Sequence, residues 1–356
     1  MMGKVKVGIA GCTGIVGQEF VRLLFDHPYF EIVALSASSR SSGKTYGESL
    51  VCTRERKIPA SIMNEIVYET SPRLFLEKDA KIIFSALPSQ VAKSLELEMA
   101  EMGLSVFSNS SAHRLESQVP ILIPEINPEH LNLILAQISK RKGFILTGPN
   151  CSVSGLALVL KPLMDLGLKS VIVTTYQAVS GAGRRGVASL DILGNIIPYI
   201  ENEEEKIEKE TKKVLGKLRD DFVEEAKFEI NSSCCRVPVA DGHLESVVME
   251  FDEDTEPELI KERLNSFQGI PQQLKLPSAP QKPIIVKTET TRPQPVLDAQ
   301  AGFPEVARGM AVTVGRIRKK GKRINLFLLV HNTIRGAAGT CILNAELALA
   351  KRFLNQ

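Results

Sequence analysis

Lys4-Val-Lys-Val-Gly-Ile-Ala-Gly-Cys-Thr-Gly-Ile-Val-Gly17 is the stretch on which the fold turns. Its first seven residues alternate and then run apolar, as a strand does when helices cover both faces of a parallel sheet. Glycines at 8, 11, 14 and 17 follow at three-residue spacing, and apolar periodicity continues to Phe25. Strand, glycine turn and helix in that order let a pyrophosphate approach the unpaired amides of a helix N-terminus, where the helix dipole favours an anion. G-x-x-G-x-x-G is a variant of the usual G-x-G-x-x-G. Its place directly after an apolar strand makes it a dinucleotide signal rather than a bare turn.

Outward from this stretch, residues 31–36, 81–85 and 105–108 read as further strands, and 90–102 as a helix. Strands alternating with helices predict an α/β fold with an N-terminal Rossmann-type, doubly wound parallel sheet over residues 1–150. After Cys151 the texture changes. A helix is expected over 154–166 and strands over 170–178, 234–239, 243–251 and 310–317, making a second, α+β domain over 151–332. The charged run 201–227 carries Ile207, Thr211, Val214, Leu215 and Leu218 at helical spacing, a solvated helix with one buried stripe. Six prolines between 271 and 295 predict an extended connection rather than a helix. The Ala-rich 333–353 should be a helix packed on the first domain, so 333–356 joins 1–150.

Composition excludes several classes. The chain has 356 residues with 44% apolar and 24% charged, an ordinary globular balance rather than a disordered one. Forty-four Lys and Arg nearly cancel 41 Asp and Glu, leaving +3 without a long basic run, so neither nucleic acid nor a membrane surface is an expected partner. The most apolar stretches, 156–160 and 324–330, fall far short of the ~20 residues of a membrane span, and the start lacks a signal-peptide pattern. A cytoplasmic chain is expected. Six cysteines without a C-x-x-C pair suggest neither a disulfide framework nor a zinc site, and no metal is expected.

Three places carry chemistry. Beyond the second strand, Ser36-Ala-Ser-Ser-Arg40-Ser-Ser-Gly-Lys44 offers hydroxyls and two cations but no acid, which suits a 2′-phosphate and predicts NADP over NAD. Cys151, in Gly148-Pro-Asn-Cys-Ser152, sits just before a helix whose dipole would stabilise a thiolate. His243 ends Arg236-Val-Pro-Val-Ala-Asp-Gly-His243 at the start of a strand. Taken separately it is a structural histidine. With a dinucleotide site and a helix-start cysteine, it points to an enzyme that forms or oxidises an aldehyde through a thioester.

These residues also resemble the aspartate-β-semialdehyde dehydrogenase family along nearly the whole chain. The likeness is carried by 8–17, by Pro149-Asn-Cys-Ser152, by Thr174-Thr-Tyr-Gln-Ala-Val-Ser-Gly-Ala-Gly183, by Glu203-Glu-Glu-Lys206 with 210–215, and by 236–243. The 40–44 loop and His331-Asn-Thr-Ile-Arg-Gly-Ala-Ala338 are closer to the archaeal and fungal branch. The resemblance implies reductive dephosphorylation of L-aspartyl-4-phosphate by NADPH to L-aspartate 4-semialdehyde and inorganic phosphate, with Cys151 as nucleophile, His243 managing protons and Gln177 orienting the acyl group. It implies Arg236 on the α-carboxylate, Glu204 on the ammonium, and Lys206 with Arg114 of the Asn109-Ser-Ser-Ala-His-Arg114 stretch on the phosphate. Which of Glu203, Glu204 and Glu210 meets the ammonium stays open.

For the cofactor the resemblance implies Gly11, Thr13, Gly14, Ile15 and Val16 on the pyrophosphate and Ser36, Ser38, Ser39 and Arg40 near the 2′-phosphate. Ser85 and Leu87 would line the ribose, Ser180, Gly181 and Gly183 the nicotinamide, and Asn332 would close the pocket. It further implies a catalytic and dimerisation role for the second domain, in a homodimer or homotetramer. The other cysteines, Cys12, Cys52, Cys234, Cys235 and Cys341, are expected to be structural. NADPH-dependent malonyl-CoA reductase is the nearest rival, but its substrate has no α-amino group to engage 203–206. N-acetylglutamyl-phosphate reductase differs around Cys151 and Gln177, and a non-catalytic dinucleotide-binding regulator would not need Cys151, Gln177, Arg236 and His243 together.

Overall fold

The computed structural model describes residues 3–50 and 58–354; Cys52 lies outside them. The chain divides into two compact units. The first comprises Met1–Leu122, Glu129–Gly148 and Cys341–Gln356, and the second Ile123–Pro128 and Pro149–Thr340.

The first unit is built on β1 (Val5–Ala10), β2 (Phe30–Ala37), β3 (Val67–Glu69), β4 (Ile82–Ser85), β5 (Ser105–Ser108) and β6 (Phe144–Thr147), in the order β3-β2-β1-β4-β5-β6 with every pairing parallel. This is the doubly wound order expected from 4–17, and strands β3 and β6 add to the four anticipated. They are three and four residues long. Their burial comes from helices laid over the sheet, such as Ser89–Glu101, whose Ala92, Met99 and Ala100 join the core with Ile83, Val106 and Ile145. The C-terminal residues Cys341 to Leu354 belong to this unit, where Asn344 Nδ2 donates to the Leu122 carbonyl at 3.1 Å and Glu346 pairs with buried His27 at 2.8 Å.

The second unit holds β7 (Leu168–Gln177), a hairpin of β8 (Lys217–Arg219) and β9 (Phe222–Glu224), then β10 (Glu229–Arg236), β11 (His243–Phe251), β12 (Ile284–Val286), β13 (Val312–Lys320) and β14 (Arg323–Val330). Its main sheet is mixed, in the order β10-β7-β11-β14-β13-β12. Strands β12 and β14 were not anticipated, the first because it lies in the proline-rich stretch. That stretch also contains short helices at Ile270–Gln273 and Pro295–Asp298, so it is not uniformly extended. Proline at the first or second helical position is tolerated because its missing N–H has no partner there anyway.

Three helices depart from their expected bounds with consequences for the site. The helix after Pro149 begins at Cys151 and runs to Leu160, followed by 3-10 turns over Lys161–Leu166. The charged helix is Glu203–Val214 only, and Leu218 lies in the β8–β9 hairpin. The last helix opens with a π-helical turn, Ile334–Ala338, before its regular part, Gly339–Ala350. No helix among the described residues is long and apolar enough to cross a membrane.

Candidate active site

In the second unit the nucleophile candidate is the first residue of a helix, so its position is fixed by the helix cap. Asn150 supplies that cap: its Oδ1 accepts from the amides of Ser152 at 2.8 Å and Val153 at 3.3 Å. Two carboxylates hold the cap in turn. Asn150 Nδ2 donates to Glu203 Oε1 at 2.8 Å, and its backbone N–H donates to Glu210 Oε2 at 2.6 Å. On the other side Gly336, in the π-helical turn, lies so close that a Cβ there would sit 2.8 Å from Cys151 Cβ. Cys151 is half-buried, whereas burial pushes the thiols of Cys12, Cys234 and Cys341 up to about 12 and keeps them protonated.

Three strand ends converge on this helix start. Gln177 closes β7, and its Nε2 donates to Glu203 Oε1 at 2.9 Å, Ser152 Oγ at 3.2 Å and Thr175 Oγ1 at 3.3 Å. Arg236 closes β10 in register with Gln177, and its Nη1 donates to the Ala178 carbonyl at 2.8 Å. Burial lowers the Arg236 pKa, an effect opposed by electrostatic attraction to Cys151 and Glu203. His243 opens β11, fully buried, and its Nδ1 accepts from the Ala178 N–H at 3.1 Å. Ala178 therefore ties Arg236 and His243 together.

Asn332 stitches the neighbouring turns, its Nδ2 donating to Ser180 Oγ at 2.8 Å while its Oδ1 accepts from the Gly242 amide at 2.9 Å. Gly181 lies against Arg236 and His243, and Gly183 has φ +77°. Of the three carboxylates left open, Glu203 is the buried one joined to Gln177. Glu204 turns instead to β10, where its Oε1 accepts from the Cys234 amide at 3.0 Å, and Glu210 is engaged with the cap. Lys206 is one turn further along the helix and half-buried.

Sequence reasoning passed over Asn150, Ser152, Thr175, Gly336 and Glu245. The last is fully buried on β11, two residues beyond His243 on the same face and opposite Thr175, with neither oxygen hydrogen-bonded. An acid at a buried position of an alternating strand was the signal available for it.

In the first unit the glycine turn meets the demands of a dinucleotide. Gly11 has φ +82°, and a Cβ on Gly17 would come within 2.1 Å of the Gly11 carbonyl, so strand and helix approach as only glycine allows. The helix Ile15–Leu24 starts at Gly14 with no side-chain cap, which leaves its first-turn amides for an anion. Thr13 to Val16 form this start. Beyond β2, Ser38, Ser39, Arg40 and Lys44 are exposed, as a 2′-phosphate site requires. Ser36 is fully buried instead, with its hydroxyl donating to the Ile9 carbonyl at 3.2 Å.

Ser85 is also buried, donating with Ser108 to Glu96 Oε1 at 2.6 and 2.7 Å, and Leu87 is buried beside it. Asn109 follows Ser108, with its Oδ1 buried and unpaired, and its carbonyl accepts from Arg114 Nη2 at 2.9 Å.

Residues 6–134 match the model for the semialdehyde dehydrogenase NAD binding domain, and 160–335 that for the semialdehyde dehydrogenase dimerisation domain. The chain is 47% identical to the aspartate-semialdehyde dehydrogenase of Archaeoglobus fulgidus over 99% of its own length and 100% of that protein. It belongs to the aspartate-semialdehyde dehydrogenase family. A crystal structure of aspartate semialdehyde dehydrogenase with NADP from Candida albicans superposes at a TM-score of 0.88, with 38% identity, 98% of this chain and 99% of that one covered. The malonyl CoA reductase (NADP) of Metallosphaera sedula is 41% identical over the full length of both chains. As a semialdehyde dehydrogenase the chain thus pairs the expected α/β nucleotide-binding domain with a mixed-sheet domain of the dimerisation type.

Proposed function

We propose that the protein catalyses the reversible NADPH-dependent reductive dephosphorylation of L-aspartyl-4-phosphate to L-aspartate 4-semialdehyde, a step that supplies the aspartate family of amino acids. The observation that carries this reading is Cys151 at the first position of a helix capped by Asn150, to which Gln177, closing β7 beside Arg236, is hydrogen-bonded through Ser152. A helix N-terminus and a cation both favour a thiolate. Cys151 attacks the acyl carbon and the C–O bond to phosphate breaks, leaving a thioester. Bound NADPH supplies the hydride that reduces it. Collapse of the tetrahedral carbon breaks the C–S bond, releases the aldehyde and returns the thiolate.

The other residues recognise the substrate. Arg236 suits the α-carboxylate as a fork, and Gln177 orients the acyl oxygen. Glu203 replaces Glu204 as the partner of the ammonium, because it is the carboxylate hydrogen-bonded to Gln177. Lys206, Arg114 and Asn109 are assigned to the phosphate, and His243 to the reacting carbonyl. NADP binds through Gly11, Thr13, Gly14, Ile15 and Val16, with Ser38, Ser39 and Arg40 at the 2′-phosphate and Leu87 at the ribose. At the strand ends Ser36 and Ser85 can offer only backbone, since their hydroxyls are engaged. Ser180, Gly181, Gly183 and Asn332 are assigned to the nicotinamide side. The working assembly is a homodimer.

NADPH absorbance tests the reading. L-aspartate 4-semialdehyde with inorganic phosphate should reduce NADP, and omission of phosphate should stop the reaction. Reduction of malonyl-CoA with no reaction of the semialdehyde would overturn the substrate assignment and favour the chemistry named for the Metallosphaera relative.

A further inference from the structure

We infer that Glu125 is a positioning residue for Cys151: its carboxylate fixes Arg335, and through Arg335 the π-helical turn that lays Gly336 against the start of the Cys151 helix. The inference rests on the reaction proposed above and adds a residue to it.

The argument starts from an excursion of the chain. Met1–Leu122 and Glu129–Gly148 belong to the first unit, yet Ile123–Pro128 between them belongs to the second. The excursion is folded on itself, with the Ile123 amide donating to Asn127 Oδ1 at 2.9 Å and the Ile126 amide to the Ile123 carbonyl at 2.8 Å. It is also packed to contact, since a Cβ on Gly269 would lie 2.5 Å from Glu125 Cα and 2.7 Å from Glu125 Cβ. Glu125 is therefore presented from main chain with no room to shift, and its side chain is fully buried.

Its carboxylate meets the guanidinium of Arg335, Nη1 donating to Oε1 at 2.8 Å and Nη2 to Oε2 at 2.9 Å. Arg335 Nε is buried without a partner, so both hydrogen bonds of that side chain go to Glu125. Two parallel bonds set the orientation of a guanidinium as well as its distance. A buried apolar pair of the same volume would hold the fold about as well. What the ion pair adds is geometry.

That geometry matters because it decides which residue faces Cys151. Over Ile334–Ala338 the amides of Gly336 and Ala338 donate five residues back, to the carbonyls of His331 and Thr333 at 2.9 and 3.2 Å. Such π turns are rare, and passing by one residue to the α register moves side chains about 100° around the helix axis. The neighbours that would replace Gly336 are Arg335 and Ala337, and both carry a Cβ. A Cβ at this place would sit 2.8 Å from Cys151 Cβ and 3.0 Å from Cys151 Cα. Holding Arg335 thus keeps glycine, and no other residue, against Cys151.

Glu125→Leu combined with Arg335→Met tests this in the full-length protein, because removing both charges together strands neither. The double variant is expected to melt close to wild type yet to lose about 10–10²-fold in kcat with L-aspartate 4-semialdehyde, phosphate and NADP, the effect of a displacement near 1 Å at a reacting atom. KM for NADP and for the semialdehyde should change little. Alkylation by iodoacetamide, followed on the Cys151 peptide by mass spectrometry in the cofactor-free protein, should slow several-fold. Wild-type kcat and alkylation rate in a folded double variant would overturn the inference and leave the pair a purely structural one. A loss confined to KM would overturn it too. Arg335→Lys keeps both charges but cannot grip two oxygens, so it carries the same expectations and the same refutation if the double variant does not fold. A wild-type protein inert toward the semialdehyde defeats the reaction instead, and the alkylation arm still decides the role of Glu125.

Discussion

Replacing Gly336 by alanine measures how tightly the candidate nucleophile Cys151 is seated. The added Cβ would sit 2.8 Å from Cys151 Cβ, 3.0 Å from its Cα and 3.2 Å from its carbonyl oxygen. Carbon pairs rest at roughly 3.5–4.0 Å, so the two segments must part by about 0.7 Å or more. The obstacle is the start of a helix rather than the flexible end of a side chain. The π-helical turn is also pinned, since the Arg335 guanidinium makes a fully buried bidentate pair with Glu125 at 2.8 and 2.9 Å. Cys151 therefore takes most of the displacement. Overpacking of this kind costs about 1–3 kcal/mol of stability, and a misplacement near 1 Å at a reacting atom costs about 10²-fold in rate. Gly336→Ala should fold with a lowered melting temperature and lose about 10²-fold in kcat, with slower alkylation of Cys151 and little change in NADP affinity. A folded variant with wild-type kcat and alkylation rate would refute the claim that this contact seats the thiol.

Glu203→Gln should lower kcat/KM by about 10–100-fold, the worth of hydrogen bonds to a buried charge, whereas Glu204→Gln should stay near wild type; steady-state kinetics showing the reverse order would return the ammonium to Glu204. Arg40→Ala should raise KM for NADP about tenfold or more and leave turnover with NAD unchanged, so equal losses with both cofactors would dissociate Arg40 from the 2′-phosphate. Glu245→Gln should raise the melting temperature in a pH-dependent way. Burial holds the Glu245 carboxyl well above the usual range, so below that range folded and unfolded chains are both protonated and the variant gains nothing. As pH rises past it the unfolded chain ionises while the folded one does not, and wild-type stability falls relative to the variant. Thermal unfolding with a constant difference between about pH 4 and 8 would contradict this.

The first domain was legible because one stretch carried independent signals that agreed: apolar strand, glycines at a turn, and helix period. What escaped, β3 and β6, are the two outermost strands of the sheet, which no glycine turn or helix period pointed to. The Gly-Pro-Asn setting marked Cys151 as lying next to a helix start, yet the helix was expected to begin at Ser154. Asn150 as cap moves that start to Cys151, and capping is decided by a side-chain hydrogen bond that periodicity does not reveal. Resemblance brought forward residues far apart in sequence, but not which of Glu203, Glu204 and Glu210 meets Gln177. Helix phase turns Glu203 and Glu210 inward with Ile207 and Thr211, and only the hydrogen bonds separate them, Glu203 to Gln177 and Glu210 to the Asn150 amide. Ser36 and Ser85 illustrate a complementary limit: a hydroxyl at a strand end looks available to a ligand until the structure shows it satisfied by its own sheet.

Ala178 contributes no functional group of its own, yet it grips the imidazole through its N–H and the guanidinium through its carbonyl. Because that grip is made by main chain, no side-chain exchange at 178 can adjust one partner and spare the other. Anything that displaces Arg236 therefore pulls on the same few atoms that hold His243.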